Sequence, residues 1–349
     1  MIFTKKKQRG NLKMQIRLDY LQNPPLDTTI NSLIMPEFNY DSIAYKEENI
    51  KIENTRASLK NKFNKSYALP FNFSCGGFLE LFSNFKKIYY TPSLHYEIRR
   101  AIEIISTFIP TIKLDSPVET TFLQADINLR GDIAKDDVLM IMPLINEDIF
   151  SFNKIPEIRN ATFAIDVSYA LALGIEIDYT LADILLINSA PLGILSGNGA
   201  IISSNIFTSI INKKGVTEAI YKAIDNRILK KKKRKINVNL ELFDKLKELL
   251  GKEIDLFAND FAPNTLPLRF YHINTRYLIE HLYLDDIFIQ SSQDCYLGFI
   301  KPSHTLISLG FSPLQSRELC AITFDDLDDI DLVANKLANG YKMIRLMEF

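Results

Sequence analysis

Val138-Leu139-Met140-Ile141-Met142-Pro143-Leu144-Ile145 is apolar at every position, not at every second one. A strand with one wet face alternates polar and apolar side chains, whereas a continuous apolar run of this length reads as a strand buried on both faces. Ile184–Asn188 and residues 162–167 repeat the pattern, and residues 87–92, 121–125 and 200–203 complete the strand candidates. Burial on both faces belongs to parallel sheets covered by helices. Between strands, residues 95–108 set Ile98, Ile102 and Ile105 at spacings of four and three, a single helical stripe. Strands alternating with helices predict an α/β fold, with a mainly parallel sheet in a large domain over residues 26–215.

The texture changes after residue 215. Six consecutive cations, Lys230, Lys231, Lys232, Lys233, Arg234 and Lys235, read as a solvated linker. A nucleic-acid patch is the weaker reading, because no second basic or aromatic segment supports it. An amphipathic helix carrying Leu240, Phe243, Leu246 and Leu250 stops at Gly251. A strand near 265–270, a helix near 276–284, a strand over 287–290 and a last helix near 327–343 follow, giving a smaller α+β C-terminal domain over 216–349. At the other end, residues 1–13 are polar and basic without periodicity. They read as a mobile tail, or as the product of a start codon placed at Met1 where Met14 is the true one. Residues 14–25 are expected to form a segment packing on the small domain.

Composition narrows the function classes. Of 349 residues, 47% are hydrophobic and 24% charged, and 41 Lys plus Arg stand against 42 Asp plus Glu, a net charge of −1. That balance gives no ground for broad capture of nucleic acid or of an acidic membrane. No apolar run approaches the roughly 18 residues that span a bilayer, and the basic start (Lys5, Lys6, Lys7, Arg9) leads into no apolar secretion segment. Cys75, Cys295 and Cys320 lack any zinc or disulfide spacing, so no metal is expected and a reducing, cytoplasmic compartment is.

One ordered series of short motifs resembles the cysteine desulfurase branch of the class V aminotransferases, pyridoxal-phosphate enzymes of fold type I. Leu18-Asp19-Tyr20 through Pro25-Leu26-Asp27 is similar to that family's opening L-D-Y-x-A-T-T-P-V-D. Phe73-Ser74-Cys75-Gly76-Gly77 sits where the family has F-T-S-G-A-T-E, and His95 follows Tyr90-Thr91-Pro92 as the cofactor-stacking histidine follows its strand. Asn146-Glu147 resembles N-N-E, Ile165-Asp166-Val167 resembles V-D-A, and Pro263-Asn264-Thr265-Leu266 resembles P-N-T-L. Ser291-Ser292-Gln293-Asp294-Cys295, then Lys301-Pro302-Ser303 and Leu309-Gly310, resemble S-S-G-S-A-C, E-P-S and A-L-G. The resemblance covers everything after Met14.

The resemblance implies a fold type I transferase-like architecture and pyridoxal phosphate as the family cofactor, for which the protein supplies attachment, orientation and electronic tuning. Asp166 would hold the ring nitrogen protonated, Asn146 would lie near the ring hydroxyl, His95 would cover the ring, and Gly76 and Gly77 would lie at the phosphate. It also implies a homodimer, with another protein of sulfur metabolism as an open partner.

Several aligned positions depart from the pattern. The stretch matching S-G-H-K reads Asn188-Ser189-Ala190-Pro191, so a proline stands at the Schiff-base lysine. Phe78 replaces a phosphate-binding threonine, Tyr169 a glutamine beside the ring, and Thr323 the arginine that grips the substrate carboxylate. No counterpart of the Gly-rich loop that reaches across the dimer lies between Ser204 and Val216. Covalent cofactor binding is therefore expected to be lost, leaving a vestigial site and a pseudoenzyme that acts as a binding or regulatory partner. The alternative is a divergent cysteine desulfurase or aminotransferase in which Cys295 carries a persulfide. Against a reactive Cys295 stands Asp294, whose charge disfavours the thiolate. Cys75 and Cys320 read as packing residues.

Overall fold

The computed structural model describes residues 15–34, 46–114, 137–154, 160–176, 178–205, 216–231, 238–293 and 301–347. Its strands in chain order are β1 (Ile16–Arg17), β2 (Tyr67–Asn72), β3 (Lys87–Tyr90), β4 (Thr111–Lys113), β5 (Val138–Pro143), β6 (Thr162–Asp166), β7 (Ile184–Asn188), β8 (Asn198–Ser203), β9 (Ile254–Leu256), β10 (Thr265–Phe270), β11 (Ile287–Phe288) and β12 (Leu319–Thr323). The main helices are α1 (Thr28–Asn31), α2 (Lys46–Phe63), α3 (Cys75–Phe82), α4 (Tyr96–Ile105), α5 (Ser168–Ala172), α6 (Val216–Lys231), α7 (Val238–Leu250) and α8 (Thr275–Tyr283). Two short helices, α9 (His304–Ser308) and α10 (Pro313–Ser316), precede the last, α11 (Ile330–Met347). The chain divides into two compact units, one of Pro24–Ile145 with Asn153–Lys232, the other of Met1–Asn23, Asn146–Phe152 and Lys233–Phe349.

The larger unit holds a seven-stranded sheet in the order β2-β8-β7-β6-β5-β3-β4. Strands β7, β6, β5, β3 and β4 pair in parallel, and β8 runs antiparallel to both β7 and β2. Every residue of β5, β6, β7 and β8 is buried, which is why β5, β6 and β7 read as largely apolar runs, while β8 begins two residues before the stretch 200–203 that announced it. Leu139, Ile141, Ala164, Ile184, Leu186 and Ile201 alternate onto one face and pack with Phe78 and Phe82 of α3 and with Ile98, Ala101 and Ile102 of α4. The α4 stripe foreseen from Ile98, Ile102 and Ile105 is this contact.

Strand β3 stops at Tyr90 and β5 at Pro143, two residues short of the apolar runs that announced each. Strand β2 escaped the reading of the sequence because Pro70 interrupts it; the position is tolerated because β2 is an edge strand, where a missing N–H need not break a central ladder. Strand β4 escaped it because it is a three-residue edge with little burial. The strand expected over 121–125 lies outside the described residues.

The smaller unit is built on an antiparallel sheet, β12-β10-β9, with β1 pairing β11 in parallel. Leu242 and Leu246 of α7, Leu278 and Leu282 of α8, Leu337 and Tyr341 of α11, and Leu266, Leu268, Phe270 and Ile322 of the sheet form one core. The N-terminal segment belongs to it: the Leu18 N–H donates to Phe288 and the Tyr20 N–H to Thr323. Residues 216–231, placed by the sequence reading at the start of the small domain, form helix α6 and cluster with the sheet unit. Its Ala219, Ile220, Ala223 and Ile224 are buried, and it packs with α2 against β2 and β8.

The first turn of α3 lies directly on the end of β2. A Cβ on Gly77 would come 2.0 Å from the Asn72 carbonyl oxygen, so only glycine permits this approach. Gly77→Ala is expected to destabilise the protein by about 2 kcal/mol or more, read as a lower thermal midpoint, whereas Gly76→Ala, whose added Cβ meets nothing closer than 3.9 Å, should leave the midpoint nearly unchanged.

Candidate functional site

Period-two alternation carries two polar side chains onto the α3–α4 face of the sheet. Asp166 ends β6 two residues after Ala164, and Asn188 ends β7 two residues after Leu186. Strand ends are where a sheet buried on both faces can carry polar chemistry, since the following loops supply the partners.

Asp166 is 4% exposed. Its Oδ1 accepts from the Ser168 backbone N–H at 2.9 Å and from the Ser168 hydroxyl, and Ser168 Oγ accepts from the Asn188 N–H at 2.7 Å. Its Oδ2 has no hydrogen-bond partner among the described residues. Burial pushes the Asp166 carboxyl up to about 6, opposed in part by the two Ser168 bonds.

His95 is the N-cap of α4: its Nδ1 accepts the Glu97 N–H at 3.1 Å. Burial, with Arg99 nearby, pushes the imidazole down to about 3, so the ring is neutral and carries its proton on Nε2. Nε2 lies 3.5 Å from Asn188 Nδ2; both are donors, so this is a contact, and the Asn188 Oδ1 is already taken by the Ala190 N–H at 3.0 Å. The ring of Phe73 meets His95 edge-on, with centroids 5.1 Å apart.

The N-terminus of α3 holds the Gly76-Gly77 pair. Here the Cys75 N–H donates to Glu97 Oε2 at 2.7 Å, the Gly77 N–H to Ser74 Oγ at 3.4 Å and the Phe78 N–H to the Ser74 carbonyl at 3.0 Å. Phe78, in place of a hydroxyl residue, is fully buried among Phe71, Phe73 and Phe82.

Beyond β7 the chain forms a 3-10 turn, Ala190–Leu192, with Pro191 buried in it. Gly193 follows with φ +79°, where a Cβ would come 2.8 Å from the Pro25 carbonyl oxygen. Its own carbonyl accepts from the Asp27 N–H at 3.1 Å and from Asn31 Nδ2 at 3.0 Å, while Asn31 Oδ1 accepts the Leu195 N–H at 2.8 Å. Residues 25–31 thus pin the turn that carries Pro191.

Gly76, Gly77, His95 and Asp166 therefore belong to the larger unit, with Asn188 between His95 and the Asp166–Ser168 pair. Asn146 belongs to the smaller unit, where its Oδ1 accepts the Asp148 and Ile149 N–H groups at 2.9 and 3.1 Å and its Nδ2 has no partner among the described residues. Thr323 is fully buried there; its Oγ1 accepts the Leu21 N–H at 2.9 Å and donates to Gln22 Oε1 at 2.6 Å. Cys295 and Asp294 lie outside the described residues. Burial raises the thiol pKa of both Cys75 and Cys320. Among the described residues no group of His, Cys, Asp and Glu is placed to hold a metal, and no helix is long and apolar enough to cross a membrane.

Reading the sequence missed Glu97, Ser168, Asn31 and Asp148. Asp148 accepts the Gln293 N–H at 2.9 Å and the Ser303 hydroxyl at 2.6 Å, so one carboxylate binds both residues bordering 294–302. The only local cue for Glu97 was an acidic residue in the first turn of a helix; Ser168 sits two residues after Asp166, a local turn contact, whereas Asn31 and Asp148 reach partners distant in the chain.

The architecture is that of the cysteine desulfurase fold. A structure described as a NifS-like protein superimposes with a TM-score of 0.75 over 95% of this chain and 100% of its own, at 12% identity. The NifS-like protein from Rickettsia africae ESF-5 gives 0.72 over 95% and 99%, at 17% identity. The apo cysteine desulfurase from Thermococcus onnurineus NA1 gives 0.71 over 95% of each chain, at 11% identity. No family model matches the sequence, and no curated protein matches it.

The raised Asp166 pKa has a signed consequence. The folded protein holds this proton up to a pH of about 6, the unfolded chain only to the ordinary carboxyl value of 3.8, so the contribution is full below the lower value and is lost as pH rises through the upper one. Relative to Asp166→Asn, which stays neutral, the wild type should lose roughly 2–3 kcal/mol of stability between pH 4 and pH 7. Urea melts of both proteins across that range check it; a stability difference independent of pH would show that Asp166 is already ionised at pH 4.

Proposed function

We propose that this chain is a non-catalytic protein on a cysteine desulfurase fold, acting as a binding or regulatory partner without covalently held pyridoxal phosphate. The observation that carries the reading is Pro191. It stands where the sequence resemblance puts the Schiff-base lysine, and it sits inside a turn that Asp27 and Asn31 hold from outside. A proline has no primary amine, and its ring suits the tight turn it occupies.

The rest of the pocket divides in its support. Asp166 fits a ring nitrogen: it offers a buried, unpartnered carboxylate oxygen at a strand end. The attachment end and the phosphate end do not fit. Asn188, Ala190 and Phe78 bring no hydroxyl or imidazole to a phosphate, and Glu97 already binds an N–H of the helix that would receive one. A dianion buried without donors is strongly disfavoured, so no reaction step is assigned to the cofactor here. Thr323, tied to Leu21 and Gln22, supplies no cation for a substrate carboxylate. By the same resemblance the assembly is a homodimer in the cytoplasm, which light scattering of the purified protein tests for its subunit number.

The decisive experiment is incubation with pyridoxal phosphate, borohydride reduction and intact mass measurement. No adduct should form, the protein should be colourless, and no sulfide should be released from cysteine. A stable adduct on any lysine would overturn the reading, and so would sulfide release above a heat-killed control that disappears in Cys295→Ser, which would establish the persulfide-carrying alternative.

A further inference from the structure

The Glu97 carboxylate lies where two helix N-termini meet. It is in the first turn of its own helix, α4, whose cap is His95, and through Oε2 it accepts the Cys75 N–H, the first of α3. Each helix start presents unsatisfied N–H groups and the positive end of a dipole, the arrangement that otherwise takes a bound anion. In α3 the Gly77 N–H is also engaged from within, by Ser74 Oγ, and the Phe78 N–H makes the first intrahelical bond, to the Ser74 carbonyl. The resemblance places the cofactor phosphate at this Gly76-Gly77 turn, and the residues found there do not suit it.

We infer that Glu97 is a built-in anion: its carboxylate takes the place at the α3 N-terminus that a ligand phosphate would take, and so closes this end of the pocket to phosphorylated molecules. The inference rests on the reading of the site as one without bound cofactor, and adds a cause to it. Where Phe78 and Ala190 only remove donors, Glu97 adds repulsion. A second negative charge at hydrogen-bond distance from the same N–H is opposed both by Coulomb repulsion and by the loss of that donor to Glu97. Asp166 Oδ2, unpartnered and 4% exposed, belongs to the other end of the pocket and is untouched by this closure.

The test uses the full chain and inorganic phosphate, which has no aldehyde and reports on the anion position alone. Glu97→Ala removes the carboxylate; Glu97→Gln keeps an acceptor for the Cys75 N–H and removes only the charge. Titration calorimetry should show no phosphate binding by the wild type at millimolar concentration and affinity raised at least about tenfold in both variants. Amide exchange at Cys75 should be slow in the wild type and in Glu97→Gln, and faster in Glu97→Ala. Equal phosphate affinity in wild type and in folded Glu97→Gln would overturn the inference, as would wild-type binding as tight as that of either variant. A borohydride-stable adduct in the wild type would instead overturn the absence of covalent cofactor, and leave the phosphate comparison standing on its own.

Discussion

Burial of β5, β6 and β7 on both faces governs what this molecule can do. A strand with no wet side has room for polar side chains only where it ends, and there the following loop must satisfy them. Asp166 and Asn188 occupy those ends, and Ser168, two residues beyond Asp166, ties them together by accepting the Asn188 N–H and donating to the carboxylate. The same constraint places the one unsatisfied oxygen of the pair, Asp166 Oδ2, at the mouth of the sheet and not within it.

Around those strand ends the chain's own groups engage the helix starts. His95 gives its Nδ1 to the start of α4, Glu97 reaches the start of α3, and Phe73, Phe78 and Phe82 make an aromatic cluster beside them. Helix starts are capped, the tight turn after β7 is pinned by Asn31, and the glycine contact under α3 is kept because the backbone there leaves no room for a side chain.

Much of this was legible in the sequence. Unbroken apolar runs announced β5, β6 and β7, and the isoleucine spacing announced α4, because both patterns are set by burial alone. The positions of His95, Asp166 and Pro191 came from motif order. The helix over 216–231 was assigned to the wrong unit because the change in texture at residue 215 says where a helix begins but not which sheet it covers. Glu97, Asn31 and Asp148 were not legible for a different reason: each acts on a backbone N–H or carbonyl far away in the chain, and such groups carry no residue-type signal. Pro70 hid β2 for the opposite reason, a residue-type signal that argued against a strand which position at the sheet edge makes acceptable.

That proline also bears on self-association. In pairing with β8, β2 leaves its other side as a margin of the sheet, and there the imide nitrogen of Pro70 offers no donor to an incoming strand. The opposite margin, β4, is only three residues long and carries Lys113. Among the described residues neither margin is a long uninterrupted strand edge, so each is a poor template for strand addition.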